Sequence, residues 1–240
     1  MSPTKERPIL FSAPMVRAIL EGRKTVTRRA VKGFQIPTED TAIPIGDRQR
    51  WSAIGQRDPR YGFCVFGSTE AECAKELEEY APCPYGRRGD RLWVRETFGL
   101  QVRHYGGAAG EHIVYRATNP DAIYCKSAEG QEYPVKWKPS IHMPRHSSRI
   151  LLEITDLRVE RLQDGEGETA FESRYVAEGI NRIHQGDGDY AFHPFKSEPG
   201  PGSWTDPFDA WRELWVGING AESWNANPWV WVVEFKRVTP

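Results

Sequence analysis

Alternating apolar and polar positions predict that this chain is built mainly from β-strands. The longest such pattern covers Arg149–Leu162, where apolar side chains occupy every second position from Ile150 to Ile154, because successive side chains of a strand point to opposite faces. The same alternation predicts strands over Arg91–Phe98 and Pro228–Val238. We therefore expect a mainly β fold with helices (α+β), arranged as a small closed β-barrel with helical and loop insertions.

Helical spacing of apolar residues is confined to short segments. It predicts helices over Glu70–Tyr80, Glu168–Glu178 and Pro207–Trp215. The second of these helices is expected to end at Gly179, which leaves Glu178 at its carboxyl terminus. The negative end of the helix dipole would raise the pKa of a carboxylate there and suit it to proton transfer, although an exposed glutamate is the commoner outcome.

A chain of 240 residues can bury a sizeable core as one domain. We predict a single domain over residues 1–240 with insertions at 33–88 and 181–225. Residues 33–60 and 185–205 are rich in polar residues, glycine and proline and show no sustained period, so both are expected to be loops.

The highest density of candidate functional side chains is in the segment E-G-R-K-T-V-T-R-R at residues 21–29. A short helix that Ser12 caps is expected to precede it, and Gly22 falls where a left-handed helix cap belongs. In a regular strand after this glycine, Lys24 and Arg28 would share one face and Thr27 would lie on the other.

Neighbouring cations and partial burial would lower the pKa of Lys24, which makes it a plausible base. A charge run such as Arg23 to Arg29 is more often a solvated basic face, and that interpretation stays open.

Two other places carry candidate binding residues. Trp93 and Arg95 would share the face of their strand opposite the core and could hold an aromatic ring by stacking and cation–π contact. Glu96 would be buried on the core side and would need a cationic partner. The loop K-P-S-I-H-M-P-R-H-S-S-R at 138–149 adds His142 and Arg145, since ordered loops without an apolar stripe often line sites.

Charge and composition limit the partners. A formal net charge of -1 excludes a generally basic nucleic-acid coat, so a nucleic acid would have to meet a local patch, for which residues 17–32 are the best candidate. No apolar run approaches membrane-spanning length and the first residues lack a signal-peptide core, so we expect no membrane partner and a cytoplasmic location. The four cysteines are irregularly spaced, and we expect neither a metal site nor a cofactor.

Four segments together resemble the ASCH superfamily, whose fold is a PUA-like β-barrel. They are L-E-G-R-K-T-V-T-R-R at 20–29, G-D-R-L-W-V-R-E at 89–96, A-E-G-I at 177–180 and W-V-V-E-F at 231–235. The extended form, with its 138–149 loop and Trp-rich carboxyl-terminal region, is similar to uncharacterised proteins encoded by phages and prophages.

The resemblance implies two kinds of activity. Small bacterial members with a G-R-K-T-x-T corner hydrolyse the amide of N4-acetylcytidine and related acylated cytidines without a metal. Their catalytic lysine, threonine and glutamate fall on Lys24, Thr27 and Glu178 of this sequence, with Arg23 and Arg28 beside them. Other PUA-like proteins bind RNA or modified nucleotides without chemistry.

The expected function is therefore deacylation of N4-acetylcytidine or a related modified pyrimidine nucleoside or nucleotide. The alternative is a module that binds RNA or a modified base in DNA through the 17–32 patch and exposed tryptophans. A third possibility is an interaction protein that docks onto another protein through its Trp-rich end.

Overall fold

The computed structural model describes residues 4–56, 62–81, 83–105, 108–168 and 173–239. In chain order, the strands are β1 (Glu6–Leu10), β2 (Val26–Ala30), β3 (Thr38–Glu39), β4 (Trp51–Gln56), β5 (Phe63–Gly67), β6 (Arg91–Arg95), β7 (Phe98–Tyr105), β8 (Ala108–Tyr115), β9 (Ile123–Lys126), β10 (Glu132–Pro134), β11 (Leu151–Arg161), β12 (Asn181–Gly186), β13 (Asp189–His193) and β14 (Trp229–Val238). The α-helices are α1 (Ala13–Leu20), α2 (Glu70–Tyr80), α3 (Pro207–Asn219) and α4 (Ala221–Asn225).

The fold is mainly β with a few helices, which confirms the predicted class. The predicted helix Glu70–Tyr80 has those bounds, and the strands predicted over Arg149–Leu162 and Pro228–Val238 are β11 and β14. No closed barrel is found in the strand pairings of the described residues. The barrel, the single domain and its two insertions stay predictions.

By their internal contacts, the residues form two compact units. The first consists of Met1–Gly22, Asp90–Glu153 and Lys236–Pro240, and the second of Arg23–Gly89 and Ile154–Phe235. In the first unit, β1 runs parallel to β6, and the start of β11 pairs antiparallel with β6. Two hairpins, β7–β8 and β9–β10, follow within the same unit.

Helix α1 of the first unit begins after Ser12, with a proline in its first turn. Ser12 makes no side-chain capping bond to the helix, contrary to the expectation. The chain leaves the helix through Gly22, whose φ of 77° is left-handed and therefore favours glycine.

In the second unit, β14 pairs antiparallel with β2, so that Val230 faces Ala30 and Glu234 faces Val26. Strands β3, β4 and β5 form a separate antiparallel sheet. Helix α2 covers this sheet, and the two share a buried cluster with Val31 and Trp231, whose other members are Ala53, Val65, Cys73, Leu77, Ala81 and Cys83. The segment 33–88 thus contributes part of the core of the second unit.

The prediction that residues 33–60 form a loop is wrong, because they contain β3 and β4. The inward positions of β4 are Ala53 and Gly55, which carry too little apolar side chain to produce a visible period. A Cβ at Gly55 would lie 2.3 Å from the Phe63 ring, so the glycine lets the two strands pack closely. Residues 185–205 likewise are not all loop, since β13 lies within them.

The prediction of a helix over Glu168–Glu178 is wrong for residues 173–178. Residues 174–177 form turns, Glu178 lies in an isolated β-bridge, and residues 169–172 lie outside the described ranges. Hydrogen bonds between residues three apart close these turns, from Glu178 N to Tyr175 O (3.0 Å) and from Gly179 N to Val176 O (3.0 Å). Tertiary contacts decide the conformation here, because the Tyr175 ring packs on Phe208 and Trp211. The helix-dipole argument for Glu178 therefore fails.

Truncating the core side of α2 should destabilise the protein. Leu77 is fully buried, so Leu77→Ala should lower the free energy of unfolding by about 2–5 kcal/mol through lost burial and the cavity that remains. Chemical denaturation followed by tryptophan fluorescence measures this change. Ile45→Ala is the matched control, because Ile45 is 90% exposed and its change should stay within about 0.5 kcal/mol. Equal effects of the two substitutions would contradict the packing of this segment.

Candidate functional site

The 21–29 corner is joined to the turn that contains Glu178. Lys24 and Glu178 form a single antiparallel β-bridge just before β2 begins. The carbonyl of Ala177 accepts hydrogen bonds from the backbone N–H groups of Thr25 (2.9 Å) and Val26 (3.2 Å). Backbone hydrogen bonds thereby hold side by side residues that are about 150 positions apart in the sequence.

The Lys24 side chain is completely buried and ends among oxygen atoms. Its Nζ lies 2.7 Å from Glu178 Oε2, 2.8 Å from the Glu178 carbonyl and 2.8 Å from the Val26 carbonyl. An ammonium group has three N–H donors, and these three acceptors match them. Burial lowers the pKa of Lys24, the Glu178 carboxylate opposes that shift, and Arg29 and Arg28 contribute to it. The predicted direction is confirmed, and burial is its main cause, ahead of the neighbouring cations.

The second oxygen of Glu178 binds Arg28. Its Oε1 accepts a hydrogen bond of 3.1 Å from the Arg28 guanidinium, so one carboxylate bridges both cations. Lys24 and Arg28 reach the same carboxylate because they lie on one face of the extended chain, as the alternation predicted. Glu178 itself is 2% exposed, and a carboxylate this buried needs such partners.

Arg28 continues the network away from Glu178. Its Nε donates to Glu160 Oε1 at 3.0 Å, and its guanidinium carbon lies 5.0 Å from the centroid of the Tyr175 ring and 5.8 Å from that of Trp211. Both distances are within the range of cation–π attraction. Lys24, Arg28, Glu160 and Glu178 form a buried cluster of two cations and two carboxylates, which we call the charge cluster.

Glu160 and the two aromatic residues were missed in the sequence. Alternation alone does not identify Glu160, because Asp156, which shares the parity of Leu152 and Ile154, is exposed. A carboxylate on a buried face requires a cation. Glu160 also accepts from Arg158 (3.1 Å) and Arg174 (3.2 Å), which connects the charge cluster to the partly exposed surface.

Thr27 is buried on β2 opposite Val233. Strand alternation turns its side chain away from the face that carries Lys24 and Arg28. Within the described residues, no hydrogen bond joins the Thr27 hydroxyl to Lys24. The structure therefore brings Lys24 and Glu178 together and leaves Thr27 adjacent along the strand. Arg23 donates to the Gly179 carbonyl at 2.8 Å and so helps to fix the same turn.

The other candidate binding residues lie in the first unit, where each has local contacts. The Arg95 guanidinium carbon is 5.3 Å from the centroid of the Trp93 ring, and Arg95 also donates to the Met143 carbonyl. Glu96 is buried and accepts two hydrogen bonds from Arg149, at 2.9 and 3.0 Å, which confirms the predicted need for a cation.

The loop residues of that unit are more open. His142 is exposed at the end of a short 3-10 turn. Arg145 pairs with Glu6 at 2.7 Å.

In the described part of the chain, no group of three or more His, Cys, Asp or Glu side chains is arranged to hold a metal ion. The helices described there include none long and apolar enough to cross a membrane.

Removing the shared carboxylate should cost more stability than the removal of an exposed one. Glu178→Gln leaves Lys24 and Arg28 buried without their common counter-charge, so the free energy of unfolding should fall by about 3–5 kcal/mol. Glu198→Gln, at an exposed position, is the matched control and should change it by less than about 0.5 kcal/mol. Chemical denaturation of both variants checks this, and similar stabilities would argue against the charge cluster.

The buried lysine should also leave a signature in the pH dependence of stability. Because burial lowers the pKa of Lys24 below its ordinary 10.5, the unfolded state binds more protons than the folded state between the two pKa values. The contribution of Lys24 to the free energy of unfolding therefore increases as pH rises through that window. The difference between wild type and Lys24→Met, measured by denaturation at a series of alkaline pH values, should grow in favour of the wild type. A flat difference would contradict it.

Comparison with known proteins adds no relative to this picture. No family model matches the chain, and no curated protein or solved structure is significantly similar to it. The interpretation of the charge cluster therefore rests on its own geometry and on the resemblance of the corner motif.

Proposed function

We propose that this protein is a metal-independent amidohydrolase that removes the acyl group from N4-acetylcytidine or a related acylated pyrimidine nucleoside, on a PUA-like barrel of the ASCH type. One observation carries the proposal: Lys24 Nζ and Glu178 Oε2 are 2.7 Å apart in a buried site. The resemblance selects these two residues as catalytic, although 154 positions separate them. Their contact is what such a mechanism requires.

The Lys24–Glu178 contact is suited to move a proton. Burial lowers the pKa of Lys24, while the Glu178 carboxylate opposes that shift. A lysine of lowered pKa can accept a proton from a hydroxyl, and the carboxylate in contact with it can pass that proton on.

The reaction proceeds through an acyl-enzyme in this proposal. The Thr27 hydroxyl gives its proton to the Lys24 amine while Oγ1 bonds to the acyl carbon. The bond from that carbon to N4 then breaks, and the departing amino group takes its proton from Glu178, which releases cytidine. Water hydrolyses the threonyl ester to the carboxylic acid and restores the hydroxyl.

This sequence of steps requires Thr27 to approach Lys24 when substrate binds. Catalytic hydrogen bonds often shorten only in the substrate complex.

The complete burial of Lys24 favours a second candidate function. In this function Lys24, with 0% side-chain exposure and three oxygen acceptors, fixes the corner and takes no part in chemistry. The protein would then be a PUA-like module that binds RNA or a modified base without chemistry. Since Lys24 and Arg28 are both buried, phosphate contacts would come from the more exposed cations of the 17–32 patch, and binding would weaken steeply with salt.

Substitution at Thr27 separates the two functions with little disturbance of the fold. Thr27→Val keeps the volume of the buried side chain and removes the hydroxyl, so release of cytidine from N4-acetylcytidine should fall by at least about a thousandfold. Thr27→Ser retains the hydroxyl and should retain turnover. Chromatography of the reaction with each purified variant gives the rates, and mass spectrometry of the quenched wild type should show an added acetyl group.

Lys24→Met removes the proposed general base and should also abolish turnover. Its fold is checked by circular dichroism, since loss of a cation from the charge cluster can itself destabilise the protein. No cytidine from the wild type at high enzyme concentration would exclude this substrate. Equal rates for Thr27→Val and wild type would exclude Thr27 as the nucleophile.

A further inference from the structure

The first compact unit contains a second place with the features of a binding site. It is a cavity of about 510 Å³, within the usual size range of small-molecule sites. Its lining includes two tyrosines, Tyr124 and Tyr133, two lysines, Lys136 and Lys138, and one carboxylate, Glu111. None of these residues takes part in the proposed deacylation.

Hydrogen bonds hold the walls of this cavity together. The side-chain amide Nε2 of Gln101 on β7 donates to the Ile123 carbonyl of β9 at 2.9 Å, which connects the two hairpins of the unit. The segment 135–138 is fastened to β7 by reciprocal bonds between Phe98 and Lys138, of 2.7 and 3.2 Å. A Cβ at Gly99 would lie 2.3 Å from Val135 Cγ1, so the glycine permits this close approach.

The charges of the cavity favour an anion. Lys136 and Lys138 both line the cavity, two residues apart, and follow the buried Val135. Both lysines are exposed, and they outnumber the single carboxylate of Glu111. An ammonium pair at two-residue spacing is suited to a phosphate group.

The remaining polar and aromatic groups favour a base that carries an amino group. Tyr124 donates its hydroxyl proton to Glu111 Oε1 at 2.8 Å, and this bond raises the pKa of the tyrosine and keeps the phenol neutral. The other lone pairs of Glu111 remain suited to accept from an exocyclic amine, as carboxylates do from cytosine N4. Tyr133 is 44% exposed at the cavity and offers a ring for stacking.

We propose that this cavity binds a nucleotide whose base carries an exocyclic amino group, with the base against the tyrosines and the phosphate on Lys136 and Lys138. The nucleotide can be free or part of a single-stranded nucleic acid, since both present the same groups. This proposal is independent of the deacylation, because it shares no residue with the charge cluster.

Calorimetric titration of the full chain with cytidine 5′-monophosphate tests the proposal. We expect binding that exceeds that of cytidine, of inorganic phosphate and of uridine 5′-monophosphate, which has no exocyclic amine. Tyr133→Ala should weaken it between about fivefold and a hundredfold. The double substitution Lys136→Ala and Lys138→Ala should remove the preference for the nucleotide over cytidine. Glu111→Gln should remove the preference over the uridine nucleotide.

Control variants keep the result specific to the cavity. Tyr190→Ala removes a tyrosine of equal exposure, 44%, from the second unit, and Lys75→Ala removes an exposed lysine of α2; neither should alter binding.

Titration with a short oligocytidylate identifies the source of the nucleotide: tighter binding than the monomer supports a single-stranded polymer, and equal binding supports the free nucleotide. No binding of either ligand at millimolar concentration, or binding that is unchanged in all three cavity variants, would overturn the proposal.

Discussion

The contact of one buried carboxylate with two buried cations organises the second unit. Glu178 bridges Lys24 and Arg28 at 2.7 and 3.1 Å, and each of the three would be costly to bury alone. A buried ion pair is usually no more stabilising than apolar residues of the same shape, because desolvation offsets the attraction. The structural effect of this ion pair is therefore more specific than stabilisation: it places Lys24, whose pKa is lowered, beside the side chain of Glu178.

The surroundings of the charge cluster supply what the pair needs. Arg28 is held by Glu160 on one side and lies over the rings of Tyr175 and Trp211. These aromatic residues exclude water, and the backbone bonds of Ala177 hold Glu178 in place independently of its charge. The turn therefore positions the Glu178 carboxylate even without its ion pair to Lys24. Such preorganisation is what a site for proton transfer requires.

Local patterns in the sequence predicted much of the fold and only part of the site. Alternation identified β11 and β14, and helical spacing identified α2, because in each case burial follows the period of the element. The pattern failed for β4, whose inward residues are small, and for residues 173–178, where packing of Tyr175 overrides helical spacing. The shared face of Lys24 and Arg28 was readable from alternation alone. Their contact with Glu178 could not be predicted in this way, because the β-bridge joins segments that are distant in the sequence and leaves no local pattern.

The separation of the members of the charge cluster along the chain has a consequence for folding. Lys24 and Glu178 are 154 residues apart, so a long loop must close before their attraction can contribute. Charges at such positions lose water only once the surrounding aromatic residues have packed, so we expect the contact to form late in folding. Weakening the charge cluster should then leave the folding rate nearly unchanged and act almost entirely on the rate of unfolding. The lifetime of the folded state, more than its rate of formation, depends on this contact.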